Sequence, residues 1–382
     1  MKKILIEGWR NINHSFAMVN QNQLLSMRQI SGLEIFHRDA PFFMSHWAQS
    51  KDLSGFATAE VSYISNIPDC DESSVDLVYK IFSPIPSVCK EIKTFVFIVT
   101  EFGLAGNSFL DPHTDFNDFK KNGNLVITPS AWSKERLIEF GIPEQGIRIV
   151  PHGVKTDIFR PMQVADRQKN RENLGIQEDE IVISNVGVPT WNKGLDILIE
   201  AVARLINSGR KIKLILKNNK ELYGLGIEDT IKNFSKEHPS LATTKFFSSV
   251  QLIQSTLNLD QLRALYCISD IYASPYRAEG FNLPVLEAMA CGTYVIVTDG
   301  GATDDFFQDA CGRKIKSDSR SLTVKEKYEG KYREPDLNSL IECVDDYIEN
   351  KIESRAKFTG DPVILLRLNS WLQVTQSLVK LV

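Results

Sequence analysis

The stretch 274–301, SPYRAEGFNLPVLEAMACGTYVIVTDGG, constrains the fold of this chain more than any other. One apolar run ends just before it and a second, YVIVT (294–298), lies within it, so two strands are predicted. Between them Pro284 can open a helix, because the first turn leaves that N–H unpaired in any case, and Gly292 can end it. The resulting strand–loop–helix–strand unit places the loop 279–283 where α/β proteins bind nucleotides.

Length and composition exclude several classes of protein. With 382 residues, two domains are expected, and 43% hydrophobic with 24% charged residues is typical of a folded protein. A net charge of -4 argues against a nucleic-acid partner. Because no run of 18 apolar residues occurs, no transmembrane segment is predicted. The start, MKKILIEG, is predicted to be a buried strand rather than a signal peptide.

Cysteine and histidine usage predicts neither a disulfide framework nor a metal site. The six cysteines include no C-x-x-C pair, and the six histidines are scattered. A reducing compartment fits this pattern, so a cytoplasmic protein is predicted. Peripheral contact with the inner face of a membrane is left open by the apolar helices predicted over 16–30 and 363–382. Burial in a protein core is favoured for both helices, because neither has a lysine-rich face.

Strands alternate with helices in two successive series, which predicts an α/β protein with two parallel sheets. The first domain is predicted over residues 1–161 and the second over 162–362, because the intervening segment 155–180 is polar and contains no strand pattern. The segment 313–337 is charged and rich in turn residues, so a surface loop is predicted there. The last segment, 363–382, is an apolar helix that must pack on another surface.

Two carboxylates flank the predicted nucleotide loop: Glu279 at its start and Glu287 inside the helix. A helix N-terminus offers N–H donors and positive potential to a diphosphate, and Gly280 permits close backbone approach because it has no Cβ. Glu287 would repel phosphate, so a ribose diol is its expected partner, and Glu279 faces the other end of the ligand. The loop is therefore predicted to hold an activated sugar. Spacing alone leaves open that both glutamates are solvated charges, although Glu287 lies among apolar neighbours.

The stretch EGFNLPVLEAMACGTYVIVTDGG resembles the E-x7-E region of the family 4 retaining glycosyltransferases (glycosyl transferases group 1). VPHGVKTDIFRP (150–161) resembles the interdomain segment of that family, and NVGVPTWNKGLDILIEA (185–201) resembles the start of its donor domain. The resemblance implies the GT-B fold: two Rossmann-like domains with parallel sheets facing a cleft, the acceptor site mostly N-terminal and the donor site mostly C-terminal. In that fold the final helix, 363–382, packs back on the N-terminal domain.

The resemblance also implies roles for matching residues. Glu287 would hold the donor ribose, Glu279 would bind sugar hydroxyls near the reacting carbon, and Lys193 would pair with the diphosphate and stabilise the leaving group. Glu279 and Lys193 are thus the predicted catalytic residues, and base contacts are expected around 246–257. The donor would be a UDP-, GDP- or ADP-sugar, with no metal ion or other cofactor and with retention of anomeric configuration. The loop residues expected to meet phosphates and sugar are Gly280, Phe281, Asn282 and Leu283.

The chain departs from the family pattern at Val188, where the family usually carries an arginine after the glycine that matches Gly187. A charge-assisted hydrogen bond is worth about 1.5–3 kcal/mol, so either another group replaces this arginine or the diphosphate is held less tightly. Arg277, two residues before Glu279, is the favoured replacement. The other candidates are Thr190, Asn192 and Arg10.

On the acceptor side the resemblance is weaker. Gly8 stands alone before Arg10 where the family often has paired glycines, and Glu101 follows a predicted strand where some members carry a glutamate that orients the acceptor. A surface glutamate is the equal alternative for Glu101. The predicted function is transfer of a sugar to a hydroxyl of a glycan, a lipid-linked acceptor or a small molecule. The alternative, motivated by Val188 and the single glycine, is a catalytically weak GT-B relative that serves as partner subunit of another glycosyltransferase.

Overall fold

The computed structural model describes residues 1–51, 55–324, 328–350 and 369–382. The chain forms two compact units, and each holds one six-stranded parallel sheet. Two α/β units with parallel sheets are the predicted fold class. The first unit comprises Met1–Gly153, Ser321–Lys331 and Asn369–Val382, and the second comprises Val154–Arg320 and Tyr332–Leu368.

In the first unit, the sheet has the order β2-β1-β3-β4-β5-β6. The order reverses between β1 and β3, so the loop after β1 leaves the sheet where ligands bind in open α/β folds. The strands are β1 (Lys2–Gly8), β2 (Leu33–Asp39), β3 (Leu77–Ile81), β4 (Thr94–Phe97), β5 (Leu125–Thr128) and β6 (Ile147–Ile149). The helices between them are α1 (Ser15–Met27), α2 (Thr58–Ser65) and α3 (Ala131–Phe140).

In the second unit, the sheet has the order β12-β11-β10-β7-β8-β9, with the reversal between β7 and β10. The strands are β7 (Ile181–Val186), β8 (Ile212–Lys217), β9 (Val250–Ile253), β10 (Ile271–Ser274), β11 (Tyr294–Thr298) and β12 (Gly312–Ile315). The helices are α4 (Val164–Asn173), α5 (Leu195–Asn207), α6 (Lys220–Tyr223), α7 (Ile227–Glu237), α8 (Thr244–Ser249), α9 (Leu259–Ile268), α10 (Leu283–Ala290) and α11 (Leu337–Glu349).

The sheet of the second unit is covered on both faces, which explains its continuous apolar strands. One face packs on α5, where Leu198 and Val202 are fully buried, and the other packs on α9 through Leu265. Burying a Val, Leu or Ile side chain contributes roughly 1.5–3 kcal/mol, so this core holds the strand ends, and the loops that leave them, in fixed positions.

The boundary between the units differs from the predicted one. It falls between Gly153 and Val154 rather than after residue 161. Phe159 packs on Tyr266 with ring centroids 6.0 Å apart, so the segment after Gly153 already belongs to the second unit. The polar composition of this segment suggested a linker, yet part of it forms helix α4 (Val164–Asn173).

The predicted surface loop over 313–337 is wrong. Its start forms β12, and Ser317–Val324 (β13) and Tyr328–Pro335 (β14) form a two-stranded sheet. Polar strands without an apolar face give little alternating hydrophobic signal, which is why the sequence pattern did not indicate them. Residues Ser321–Lys331 count with the first unit, where the backbone N–H of Lys331 donates to the carbonyl of Phe102 at 2.9 Å.

The last described helix, α12 (Trp371–Val379), packs against α1 within the first unit. Ser370 caps its N-terminus, because the serine hydroxyl accepts a hydrogen bond from the backbone N–H of Gln373. The predicted start of this helix at residue 363 lies outside the described residues. Within the described ranges, none of the helices is both long enough and apolar enough to cross a membrane.

Candidate functional site

Two loops leave the carboxyl edge of the second sheet side by side. Strands β7 and β10 are hydrogen-bonded neighbours, with Ile183 opposite Ile271 and Ser184 opposite Tyr272. The loop after β7 leads to α5, and the loop after β10 leads to α10. Because the strand order reverses between these two strands, this edge corresponds to the crevice in which open α/β sheets bind ligands.

The crevice brings together the two predicted catalytic residues, Lys193 and Glu279. The Lys193 Nζ lies 2.9 Å from Glu279 Oε2, and the two side chains are 21% and 12% exposed. Asn192 fixes this pairing, because its side-chain Nδ2 donates to the carbonyl of Ala278 at 3.1 Å. Its own carbonyl accepts from the backbone N–H groups of Arg277 at 2.7 Å and Ala278 at 3.2 Å. The two loops are therefore tied together beside the ion pair.

Gly194, which sequence reasoning missed, permits this close approach of the loops. Its φ is +65°, in the left-handed region, and a Cβ at this position would lie 1.8 Å from the carbonyl oxygen of Pro275. No side chain fits there. The sequence signal was a glycine directly after Lys193 and directly before the apolar pattern of α5.

Helix α10 begins where the sequence predicted. Pro284 lies in its first turn, and Gly292, with φ +76°, follows its C-terminal end. Asn282 caps the helix in the left-handed conformation (φ +78°), and its Nδ2 donates to Ser274 Oγ at 3.0 Å. Phe281 is buried against Phe306. The Phe281 and Asn282 side chains therefore face the protein.

Glu287 lies in α10, one helical turn from its C-terminal end, and is partly buried. The hydroxyl of Tyr266 in α9 donates to Glu287 Oε2 at 2.9 Å. Burial raises the pKa of Glu287 to about 7, because the charged carboxylate is poorly solvated there, and the Tyr266 hydrogen bond opposes this only in part. A carboxylate that accepts few hydrogen bonds from the protein is suited to accept them from a vicinal diol.

Arg277 is held by side chains of the second unit. Its guanidinium donates to Asp196 at 2.8 and 2.9 Å and to Glu334 at 3.0 Å, and it stacks over the Trp191 ring at 4.7 Å. Only 6% of the residue is exposed. Its charge is thus compensated by two carboxylates, and the geometry assigns it to the support of the loop that carries Lys193. The role of Arg277 as replacement for the family arginine stays a prediction.

Sequence reasoning also missed a buried cation at the same edge. Lys217 is the last residue of β8 and lies opposite Val186 of β7. It is 7% exposed, and its Nζ donates to the carbonyl of Asn218 at 3.0 Å. Burial lowers the pKa of Lys217 to about 8. A lysine at the end of the apolar run IKLILK was the available sequence signal.

The predicted acceptor-side residues lie in the first unit and make structural contacts. Gly8 ends β1, and a Cβ there would lie 2.7 Å from Ile81 Cγ2. Arg10 forms an ion pair with Asp39 at 2.8 Å and donates to the carbonyl of Ile64 at 2.7 Å. The backbone carbonyl of Glu101 accepts from the Trp132 Nε1 at 2.7 Å. The acceptor-side roles of these three residues stay predictions.

Across the described part of the chain, no three His, Cys, Asp or Glu side chains are grouped so that they could hold a metal ion. The polar groups collected at the edge of the second sheet are instead an ammonium–carboxylate pair, a buried carboxylate, a buried lysine and the N-terminus of α10. Together these groups suit a ligand that carries both hydroxyls and phosphates.

Residues 166–320 match the family model described as glycosyl transferases group 1. MMP alpha-(1->4)-mannosyltransferase of Mycolicibacterium hassiacum is 30% identical over 185 residues, which are 47% of this chain and 37% of that protein. D-inositol 3-phosphate glycosyltransferase of Segniliparus rotundus is 29% identical over 157 residues, 41% of this chain and 32% of that protein. The chain thus spans less than half the length of these curated relatives.

Solved structures are similar over nearly the whole chain. A glycosyltransferase from Rickettsia africae has a TM-score of 0.68 at 15% identity, over 99% of this chain and 97% of that one. HepE from Anabaena, solved in complex with UDP-glucose, has a TM-score of 0.66 at 15% identity, over 100% of this chain and 99% of that one. At such identity the likeness shows the fold alone, and it confirms the predicted GT-B fold class.

Proposed function

Since residues 166–320 match the family model described as glycosyl transferases group 1, we propose that the chain transfers a sugar from a nucleotide-diphosphate sugar to a hydroxyl acceptor. The observation that carries this proposal is the Lys193–Glu279 pair, held at 2.9 Å beside the carboxyl ends of the neighbouring strands β7 and β10. The pair sits between two loops that hydrogen bonds of Asn192 fix to each other. A preorganised cation at this edge is suited to a leaving phosphate.

The diphosphate, the ribose and the sugar of the donor each have a matching group in the second unit. The diphosphate would face Lys193 and the first backbone N–H groups of α10, where the helix dipole adds positive potential. The ribose diol would donate hydrogen bonds to Glu287, whose carboxylate has only the Tyr266 hydroxyl as a described side-chain donor. The sugar hydroxyls would donate to Glu279 once Lys193 turns toward the phosphates. Phe281 and Leu283 would contribute only backbone groups, as Gly280 does.

The reaction that these groups support is transfer with retention of configuration. The bond between the anomeric carbon and the phosphate oxygen breaks, and Lys193 stabilises the charge that develops on the leaving phosphate. The acceptor oxygen forms its bond to the anomeric carbon on the face that the phosphate leaves, and the acceptor proton passes to the leaving phosphate oxygen. This route needs no enzyme nucleophile, and the cations of the protein carry out the electrostatic stabilisation that a metal ion supplies elsewhere.

A cytoplasmic location is part of the proposal. All six cysteines are free thiols in the structure, and a reducing compartment would keep them so. The acceptor class stays open among a glycan, a lipid-linked hydroxyl and a small molecule. UDP-glucose in the Anabaena HepE structure supports a nucleotide sugar as donor, without deciding among UDP-, GDP- and ADP-sugars.

The proposal is tested by a thermal-shift panel of UDP-, GDP- and ADP-sugars, followed by measurement of donor hydrolysis and transfer. We expect one nucleotide class to raise the melting temperature, because a ligand that binds only the native state stabilises it. Lys193→Met should lower the rate by about 100-fold or more, the usual effect of removing one transition-state stabilising donor. Lys213→Met, at a partly exposed position on β8, is the matched control and should leave the rate unchanged.

The opposite results are equally specific. If no nucleotide sugar binds and none is hydrolysed, the proposal is wrong. If a nucleotide sugar binds but is neither hydrolysed nor transferred, the alternative of a catalytically weak partner subunit is favoured instead.

A further inference from the structure

Two cations at the candidate site, Lys193 and Arg277, are already paired with carboxylates, so few positive charges remain for a diphosphate. Lys193 is already paired with Glu279, and Arg277 is paired with Asp196 and Glu334. Val188 stands where the resemblance implies an arginine. A ligand with several phosphate charges, placed beside two glutamates, needs a further cation that is not already compensated by carboxylates.

Lys217 lies beside the position of the missing arginine. It pairs with Val186 in the register of β7 and β8, and its carbonyl accepts the backbone N–H of Gly187 at 2.9 Å. Val188 is the next residue along the chain after Gly187. The carboxyl end of β8 and the loop after β7 therefore share one edge of the sheet, within the reach of a lysine side chain.

Lys217 and Glu287 lie on the same face of the second sheet. Side chains alternate along a strand, so Lys217 projects to the same face as Ile215, which packs on α9. Tyr266 of α9 packs edge-to-face against Tyr272 of β10, with ring centroids 5.6 Å apart, and its hydroxyl donates to Glu287. Lys217 and the proposed ribose ligand Glu287 thus lie on one face at one edge.

The surroundings of Lys217 leave its charge uncompensated. Within the described residues, no carboxylate oxygen lies within 4.0 Å of its Nζ, and its one hydrogen bond is to the backbone carbonyl of Asn218. A buried ammonium without a partner is unfavourable, and a phosphate would remove that penalty. The Asn218 carbonyl that accepts this hydrogen bond is a neutral partner, so the charge of Lys217 is left for an anionic ligand to compensate.

We propose that Lys217 supplies the cation that binds the donor diphosphate in place of the arginine absent at Val188. This inference rests on the proposed function. It makes Lys217 a binding residue of the same site and gives the buried ammonium a partner only when the donor is present.

The test compares the affinities of a nucleoside diphosphate and its nucleoside by calorimetry. The probe is whichever of UDP, GDP and ADP binds the unmodified chain, with uridine, guanosine or adenosine as its partner. Lys217→Met should weaken diphosphate binding by about 10- to 100-fold, since a hydrogen bond between charged groups is lost, and should leave nucleoside binding within about twofold. Lys213→Met, on the same strand, should behave as the unmodified chain, and Lys217→Arg should retain most of the diphosphate affinity.

A double variant that restores a positive charge at position 188 tests the role of Lys217 most directly. Adding Val188→Arg to Lys217→Met should recover diphosphate affinity, because the guanidinium would replace the lost ammonium. A melting curve for each variant shows whether it is folded, and Lys217→Gln serves if the methionine variant is not. Equal losses for diphosphate and nucleoside, without recovery by Val188→Arg, would indicate a structural role and overturn the inference. If the unmodified chain binds a diphosphate and Lys217→Met binds it equally well, the inference alone fails. If none of the three diphosphates binds the unmodified chain, the proposed function fails with it.

Discussion

Replacement of Arg277 by methionine separates support of the Lys193 loop from direct binding of the donor. Arg277→Met keeps an apolar stem but removes the guanidinium that joins Asp196, Glu334 and the Trp191 carbonyl. If Arg277 is a support residue, the variant should lose stability in the second unit. If it binds the diphosphate, the variant should lose affinity without losing stability.

The expected loss of stability follows from the contacts of Arg277. The Asp196 side chain is 51% exposed, so solvent screens that pair and it contributes at most about 1 kcal/mol. Glu334, which is 29% exposed, and the Trp191 carbonyl contribute about 1 kcal/mol each, and the cation–π contact about 0.5 kcal/mol. The sum is at most about 3.5 kcal/mol. For a domain of about 200 residues each kcal/mol lowers the melting temperature by roughly 2–4 °C, so a drop of up to about 7–14 °C is expected.

Scanning calorimetry measures this drop, and Arg204→Met is the matched control. Arg204 lies on α5 and pairs with Glu200 on the helix surface, so its loss should cost about 0.5 kcal/mol at most. Nucleoside diphosphate affinity is measured at a temperature where both variants are folded, and Arg277→Met should keep it within about threefold. An Arg277→Met protein that melts like the unmodified chain, yet loses diphosphate affinity by tenfold or more, would refute the support role.

Three further variants test the site. Burial raises the pKa of Glu287 from 4.5 to about 7, so the free energy of unfolding should fall by about 3 kcal/mol as pH rises from below 4.5 to above 7. Glu287→Gln should remove that dependence in denaturant titrations over pH 4–8. Gly194→Ala places a Cβ 1.8 Å from the Pro275 oxygen and should lower transfer by about tenfold or more, whereas Gly209→Ala, with no atom within 4 Å of its Cβ, should not. Glu279→Gln should lower the transfer rate by about tenfold or more. The affinity for a nucleoside diphosphate should stay equal or become tighter, because Lys193 no longer pairs with a carboxylate. A loss of that affinity in parallel with the rate would contradict the role assigned to Glu279.

Local patterns suffice to predict helix α10 and the two glutamates that flank its start. Pro284 and Gly292 mark the ends of the helix by their own backbone chemistry, which depends on few other residues. The order of the motifs along the chain assigned Lys193 and Glu279 to one site. The structure adds that their side chains form an ion pair. Sequence alone could place both residues at carboxyl ends of strands, but not at 2.9 Å from each other.

The residues that sequence reasoning misjudged depend on distant partners. Arg277 was judged by its closeness in sequence to Glu279, whereas its charge is met by Asp196 at the start of α5 and by Glu334 in β14. Strand β14 was itself predicted as loop, so Glu334 could not be foreseen as a partner. Lys217 was missed for a related reason, because its burial depends on the neighbouring strands, where it lies opposite Val186 of β7 and Ile253 of β9.

The charges of the donor-free site therefore favour an exchange of partners when the donor binds. Without a donor, Glu279 neutralises Lys193, whereas Lys217 has no carboxylate partner among the described residues. If the diphosphate first meets Lys217, Lys193 can leave Glu279 for the phosphate beside the sugar, and Glu279 then accepts hydrogen bonds from sugar hydroxyls in place of the ammonium. Lys193 and Glu279 each keep a partner during this exchange, and Lys217 gains one, so the exchange leaves neither member of the pair as a bare charge. A nucleoside monophosphate, which lacks the phosphate beside the sugar, would leave the Lys193–Glu279 pair intact.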